Sequence, residues 1–127
     1  MPFDWNNYLT LAEQLAAQAD EGSKRSAISR AYYYVFNIAF ARAESTSGRY
    51  PGGQGFHAWC WSRFQNSPHI ACKRLASNGE RLKRRRVQAD YKAAEISRLE
   101  DQVQRTLEEA RQFGIELAAL DPRYPSP

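Results

Sequence analysis

Apolar residues recur along this chain at helical spacing, and no segment shows the strict alternation of a half-buried strand. From Asp4 to Ala19, Trp5, Tyr8, Leu9, Ala12, Leu15, Ala16 and Ala19 fall at i, i+3, i+4 and i+7. That pattern predicts an amphipathic helix with Asp4 as its N-cap. Asp20, Glu21, Gly22 and Ser23 read as a break. A second helix is predicted from about Lys24 to Glu44, and its middle, AYYYVFNIAFA (31–41), is apolar nearly all round, as a helix covered on several sides would be. Ser45 to Gly55 holds four glycines and a proline in eleven residues and reads as a flexible loop. Phe56 to Phe64 is aromatic-rich and reads as a third helix. Ser67-Pro68 reads as an N-cap followed by proline at the first helical position, opening a helix that runs to about Arg86. Ile96, Leu99, Val103, Leu107, Ala110 and Leu117 trace a last long helix, ended by the DPRYPSP tail (121–127). The prediction is all-α: four or five helices in one bundle, with residues 1–127 as a single domain.

Composition narrows the class without changing it. At 127 residues, 43% hydrophobic and 25% charged, the chain can bury a core and does not read as disordered. It has no run of some 18 apolar residues, so no membrane span is expected. MPFDWNNY lacks the charge-then-apolar order of a secretory leader. Two cysteines, Cys60 and Cys72, are too few for a disulfide framework and suit a reducing cytoplasm. Charge is uneven. Between Lys73 and Arg86 seven Lys or Arg stand against one acid, Glu80, a local +6; on a total of +4, the rest of the chain sums to −2. A localised anionic partner fits that distribution better than general stickiness.

Three groups of residues could carry chemistry. Arg30 and Asn37 lie two turns apart on one line of the second helix, which Ser26 begins and Tyr34 and Ala41 continue. Polar groups on such a helix are either satisfied internally, Arg30 by a carboxylate, or open into a cleft. Arg81, Lys83, Arg84 and Arg85, with Arg86, point in most directions around a helix. They make either a solvated face, with Arg86 paired to a nearby acid, or a contact to phosphates that is strong and indifferent to sequence. Docking onto an acidic protein is a third use. Finally, His57-x2-Cys60 and His69-x2-Cys72 hold every His and Cys in the chain and could form a four-coordinate zinc site. The competing reading makes Cys60, between Trp59 and Trp61, an ordinary buried thiol.

The segment SAISRAYYYVFNIAFARAE (26–44) resembles the signature helix of HEPN domains, in the small stand-alone branch with a Ser-Arg-Ala-Tyr-Tyr core. Arg86-Val87-Gln88-Ala89-Asp90-Tyr91 resembles that branch's Arg-x-x-Ala-Asp-Tyr element, and His57 with Phe64 matches its His-x6-Phe spacing. The resemblance spans roughly Leu15 to Leu117. It implies a helical bundle of HEPN type dimerising through the second helix, without a cofactor. In active members an Arg, and a His four to six residues later, pair across the dimer as a metal-independent ribonuclease. It also implies that Asp90 is a buried carboxylate at a helix junction, held by Arg30 or Arg86. Stand-alone members act as toxins beside a nucleotidyltransferase-like antitoxin, which is the partner class implied.

Arg30 matches the family arginine, but Asn37 stands where the histidine would be, and Ala31 where many active members carry a polar residue. An amide does not titrate near neutrality, so Asn37 cannot relay the 2′-hydroxyl proton; that relay contributes about 10²–10⁴-fold in rate. The expectation is a cytoplasmic homodimer that binds RNA through a cleft of Arg30, Tyr34 and Asn37, with a degenerate ribonuclease site. The alternative is a non-catalytic HEPN interaction module for a protein partner such as a nucleotidyltransferase-like protein. A third reading keeps the nuclease active, with His57 as substitute base.

Overall fold

A computed structural model of the chain describes residues 2–125; Met1, Ser126 and Pro127 lie outside the described residues. Five helices make up its regular structure: α1 (Asn6–Ala16), α2 (Glu21–Ser47), α3 (Phe56–Asn66), α4 (Ile70–Tyr91) and α5 (Leu99–Ala119). Among the described residues there is no strand, and no helix is long and apolar enough to cross a membrane.

Local hydrogen bonds place the helix ends a few residues from where the sequence pattern put them. Trp5, not Asp4, is the N-cap of α1; Asp4 Oδ1 accepts from the Asn6 amide at 2.9 Å and orders the approach to the helix. Asp20 caps α2, its Oδ2 accepting from the Ser23 amide at 2.9 Å. Glu21, Gly22 and Ser23 are therefore the first turn of α2 and not a break, and the acids sit where the helix dipole favours them. The helix continues to Ser47 and stops at Gly48, whose φ of 85° suits a residue without a Cβ. Ser67-Pro68 does not open α4. Ser67 closes α3, and His69 is the N-cap of α4, its Nδ1 accepting from the Ala71 amide at 3.1 Å. That helix runs on to Tyr91, past the end expected near Arg86.

The central element is α2, which packs against α1, α3, α4 and α5. Its apolar middle is thus covered largely within one chain. Ala27, Ala31, Ala39 and Ala43 are fully buried and let neighbouring helices approach, while Tyr32, Phe64 and Phe113 fill the spaces between. All five helices contribute to this one core. One stripe of α2 stays open on the side away from α5: Ser26 and Ala41 are exposed, and Arg30, Tyr33, Asn37 and Glu44 are half-buried; Ile38, Arg42 and Ser45 open a second groove beside α5. The tail is more than a terminator. Arg42 donates to the carbonyls of Tyr124 (3.1 Å) and Leu117 (2.9 Å), Thr46 and Ser47 donate to the Pro125 carbonyl, and Pro125 is buried.

Candidate functional site

The open stripe of α2 is where polar chemistry gathers, and Tyr33 is its hub. The Tyr33 ring centre lies 5.7 Å from the Arg30 guanidinium, 5.4 Å from that of Arg86 and 6.1 Å from the His57 ring. Arg30 also sits over Tyr8 of α1, at 5.1 Å. No carboxylate pairs with Arg30 among the described residues, so two aromatic faces are its neighbours in place of the acid a structural arginine would have. Four helices thus meet here: α1 through Tyr8, α2 through Arg30 and Tyr33, α3 through His57, and α4 through Arg86.

Asn37 is on the same stripe, but its amide Nδ2 donates to the Tyr33 carbonyl at 2.7 Å, one turn back along its own helix. Tyr34 does not belong to the cluster. Its side chain is buried toward α5, so close to Gly114 that a Cβ built there would stand 2.2 Å from the hydroxyl. Burial first, then the negative charge of Asp4, raises the Tyr34 pKa, so it remains a neutral phenol. The residue that faces Arg30 is Tyr33, at i+3, rather than Tyr34, at i+4.

A relay of hydrogen bonds fixes His57. Trp61 Nε1 donates to the Tyr32 hydroxyl at 3.2 Å, and that hydroxyl lies 2.6 Å from His57 Nδ1. Indole only donates, and a buried phenol proton needs an acceptor, which Nδ1 supplies. The ring's own proton then resides on Nε2. Burial, with the positive charges of Lys83 and Arg86, lowers the His57 pKa to about 4, so the imidazole is neutral at physiological pH. Burial also raises the Tyr32 pKa. A neutral ring already protonated on Nε2 is a hydrogen-bond donor there, not a base for a ribose hydroxyl.

Asp90 is the carboxylate of this neighbourhood, and it is not buried. It sits on the exposed last turn of α4, accepting from Ser29 Oγ at 3.1 Å and from Arg86 at 3.4 Å; Arg30 is not its partner. Arg30 and Arg86 therefore outnumber the acid, and the cluster is net positive.

The basic run divides between faces of α4. Arg81 and Arg85 turn to α5 and grip Glu109, Arg81 Nε at 2.8 Å and Arg85 Nη1 at 2.5 Å. Burial disfavours the Glu109 carboxylate, but hydrogen bonds from Arg85 and Arg81 prevail and hold its pKa low. Of the four arginine and lysine residues expected to meet phosphate, only Lys83 and Arg84 are without an ion pair among the described residues. The zinc candidate does not assemble. His57 is tied to Tyr32, His69 caps α4, and burial raises the Cys60 pKa, keeping it a thiol. No group of three metal-ligating side chains comes together among the described residues.

Sequence reasoning missed Tyr33, Tyr32 and the packing of Arg86 on the Tyr33 ring, while the expected ion pair of Arg86 with a nearby acid is present, to Asp90. The i, i+3, i+7 spacing of Arg30, Tyr33 and Asn37 marks the stripe, but three consecutive tyrosines offer no internal clue to which one turns outward. Comparison with protein-family models, with curated proteins and with solved structures gives no match.

Proposed function

We propose that this chain is an RNA-targeting protein of HEPN type, the toxin-like component of a toxin–antitoxin or defence pair, with a degenerate ribonuclease site. One observation carries the reading: an arginine with no carboxylate partner among the described residues, a second arginine and a neutral histidine surround one half-exposed tyrosine ring. Guanidinium groups bind phosphate oxygens in fixed geometry, and an accessible aromatic ring stacks on an unpaired base. Proton transfer is the missing part. Asn37 is bonded to its own helix, and His57 holds its proton on Nε2 with a pKa near 4, so neither serves as base near neutrality. The third reading, with His57 as substitute base, is disfavoured for that reason.

The test is RNA binding and EDTA-resistant cleavage by the purified chain. Tyr33→Ala and Arg30→Ala should each weaken binding by about 5- to 150-fold, the range for removing one stacking ring or one charged group. Asn37→His should raise cleavage by about tenfold, and adding Arg30→Ala should cancel the gain. If the wild type binds no RNA, the reading is wrong; if it cleaves briskly in EDTA and Asn37→His is no faster, the site is not degenerate.

A second reading, a dimerising module that docks a protein such as a nucleotidyltransferase-like partner, is favoured by the charge order of the same stripe. Arg30 and Glu44 lie at equal sequence distance on either side of Asn37, a self-complementary arrangement.

A further inference from the structure

A third face of α4 borders α3, where Glu80 and Arg84 line an open groove with Ala58 and Ser62. Lys83, Arg84, Val87 and Tyr91 lie at i, i+1, i+4 and i+8, a ridge about 12 Å long at 1.5 Å per residue. Tyr91 is 75% exposed and Val87 40%, an exposure that the core does not explain. Lys83, Arg84 and Val87 line a shallow groove with Gln88 and Glu80, the acid on that face. Neither cation has an ion-pair partner among the described residues, in contrast to Arg81, Arg85 and Arg86 on the other faces. The ridge is continuous with the Tyr33 cluster, because the Arg86 guanidinium lies 5.4 Å from the Tyr33 ring centre and 6.0 Å from that of Tyr91.

We infer that this ridge is a tract for single-stranded RNA, with an unpaired base stacked on Tyr91 and neighbouring phosphates on Lys83 and Arg84. The inference rests on the RNA-binding reading and extends it from the Tyr33 cluster along α4. Interleaved aromatic and cationic side chains suit a single strand because unpaired bases offer their faces, which a duplex keeps stacked inside. The phosphate contacts add affinity that falls with salt and does not depend on sequence. Arg86, largely buried between the two tyrosines and held by Asp90, is the rigid link between cluster and ridge.

The experiment measures fluorescence anisotropy of a short labelled oligouridine, a hairpin duplex and an oligoglutamate peptide against the full chain at several salt concentrations. Tyr91→Ala should weaken oligouridine binding by about tenfold, within the range for removing one stacking ring. The double substitution Lys83→Gln, Arg84→Gln should flatten the slope of log affinity against log salt by about 1.4, roughly 0.7 for each phosphate no longer neutralised. Arg84 and Tyr91 are exposed and Lys83 half-exposed, and circular dichroism of each variant checks that the helices are intact. Oligouridine binding that survives these substitutions but is lost in Tyr33→Ala overturns the ridge and leaves the cluster standing. A wild type that binds no oligonucleotide removes both. A duplex, or the acidic peptide, held as tightly as oligouridine and lost in the same variants overturns the assignment to single strands.

Discussion

The relay from Trp61 through Tyr32 to His57 shows how a buried hydrogen bond decides the chemistry of a half-buried ring. Tyr32 is fully buried, and its hydroxyl can discharge its proton only onto His57 Nδ1. Stacking of the imidazole on Phe36, with ring centres 4.0 Å apart, holds the plane that this bond requires. Because the folded-state pKa of about 4 lies below the value near 6.5 of an unfolded histidine, the unfolded chain takes up the proton first. His57 therefore lends stability that is fully present above pH 6.5 and lost as pH falls from about 6.5 to about 4, below which the loss levels off. The urea midpoint should drop over that window in the wild type and drop less in His57→Phe, which keeps the ring stack and cannot titrate. Equal pH profiles for the two proteins would show that His57 titrates normally in the folded chain.

At the scale of the helices, the sequence was a good guide to type and a poor one to orientation. Five helical segments, a loop after α2 and a basic α4 can be read from apolar spacing, Gly/Pro clusters and charge. Asp20 misled because Asp-Glu-Gly-Ser looks like a break, whereas an aspartate before a helix caps it and recruits the next residues. Tyr34 misled because i+4 and i+3 neighbours are equally near on a bare helix, and only the fit against α5 separates them. That fit is set by Gly114. A Cβ there would meet the Tyr34 hydroxyl at 2.2 Å, while the next nearest atom of the ring, Cζ, is 3.3 Å away. Gly114→Ala should therefore destabilise the fold by about 1–3 kcal/mol, even though alanine is the better helix former. Tyr34→Phe removes only the colliding oxygen, so the double variant should recover most of the loss in thermal unfolding. Gly79→Ala offers a contrast: its Cβ would meet three carbons of the rigid Trp61 ring at 2.3–2.6 Å, and no single-atom deletion relieves that. If Gly114→Ala is as damaging in the Tyr34→Phe background as beside the native tyrosine, the hydroxyl is not what the glycine accommodates.

For the whole molecule, the question is what the open stripe of α2 meets. Most of this helix is covered by its own chain, so its apolar middle does not by itself demand a partner. The stripe has an order of its own. Arg30 and Glu44 stand seven residues before and after Asn37, and Tyr33 and Ala41 stand four before and after it. Two copies packed antiparallel about a two-fold axis at Asn37 would set each Arg30 against Glu44 of the other copy, and each Tyr33 against a small Ala41. Charge then meets opposite charge and bulk meets space, twice over, as an isologous interface requires. A stable dimer would bury roughly 1,200–2,000 Å² in total, which needs the flanking residues of α1 and α3 as well as the stripe. Arg30→Glu and Glu44→Arg should each weaken self-association by at least about tenfold, and the double reversal should restore it, since interfacial ion pairs couple by more than about 1 kcal/mol. Glu44 also accepts the Tyr50 amide at 2.8 Å, so Glu44→Arg alone disturbs the loop after α2. Damage of that kind would not be repaired by a change at Arg30, which makes the rescue the decisive arm. Sedimentation of the wild type as a monomer at tens of micromolar, or a double variant no better than the singles, would remove the two-fold pairing. Rescue would have a further consequence for the RNA-binding reading. Arg30 would be committed to Glu44 of the second copy, and phosphate contact would fall to Lys83 and Arg84, beside Tyr91 and next to the Tyr33 cluster.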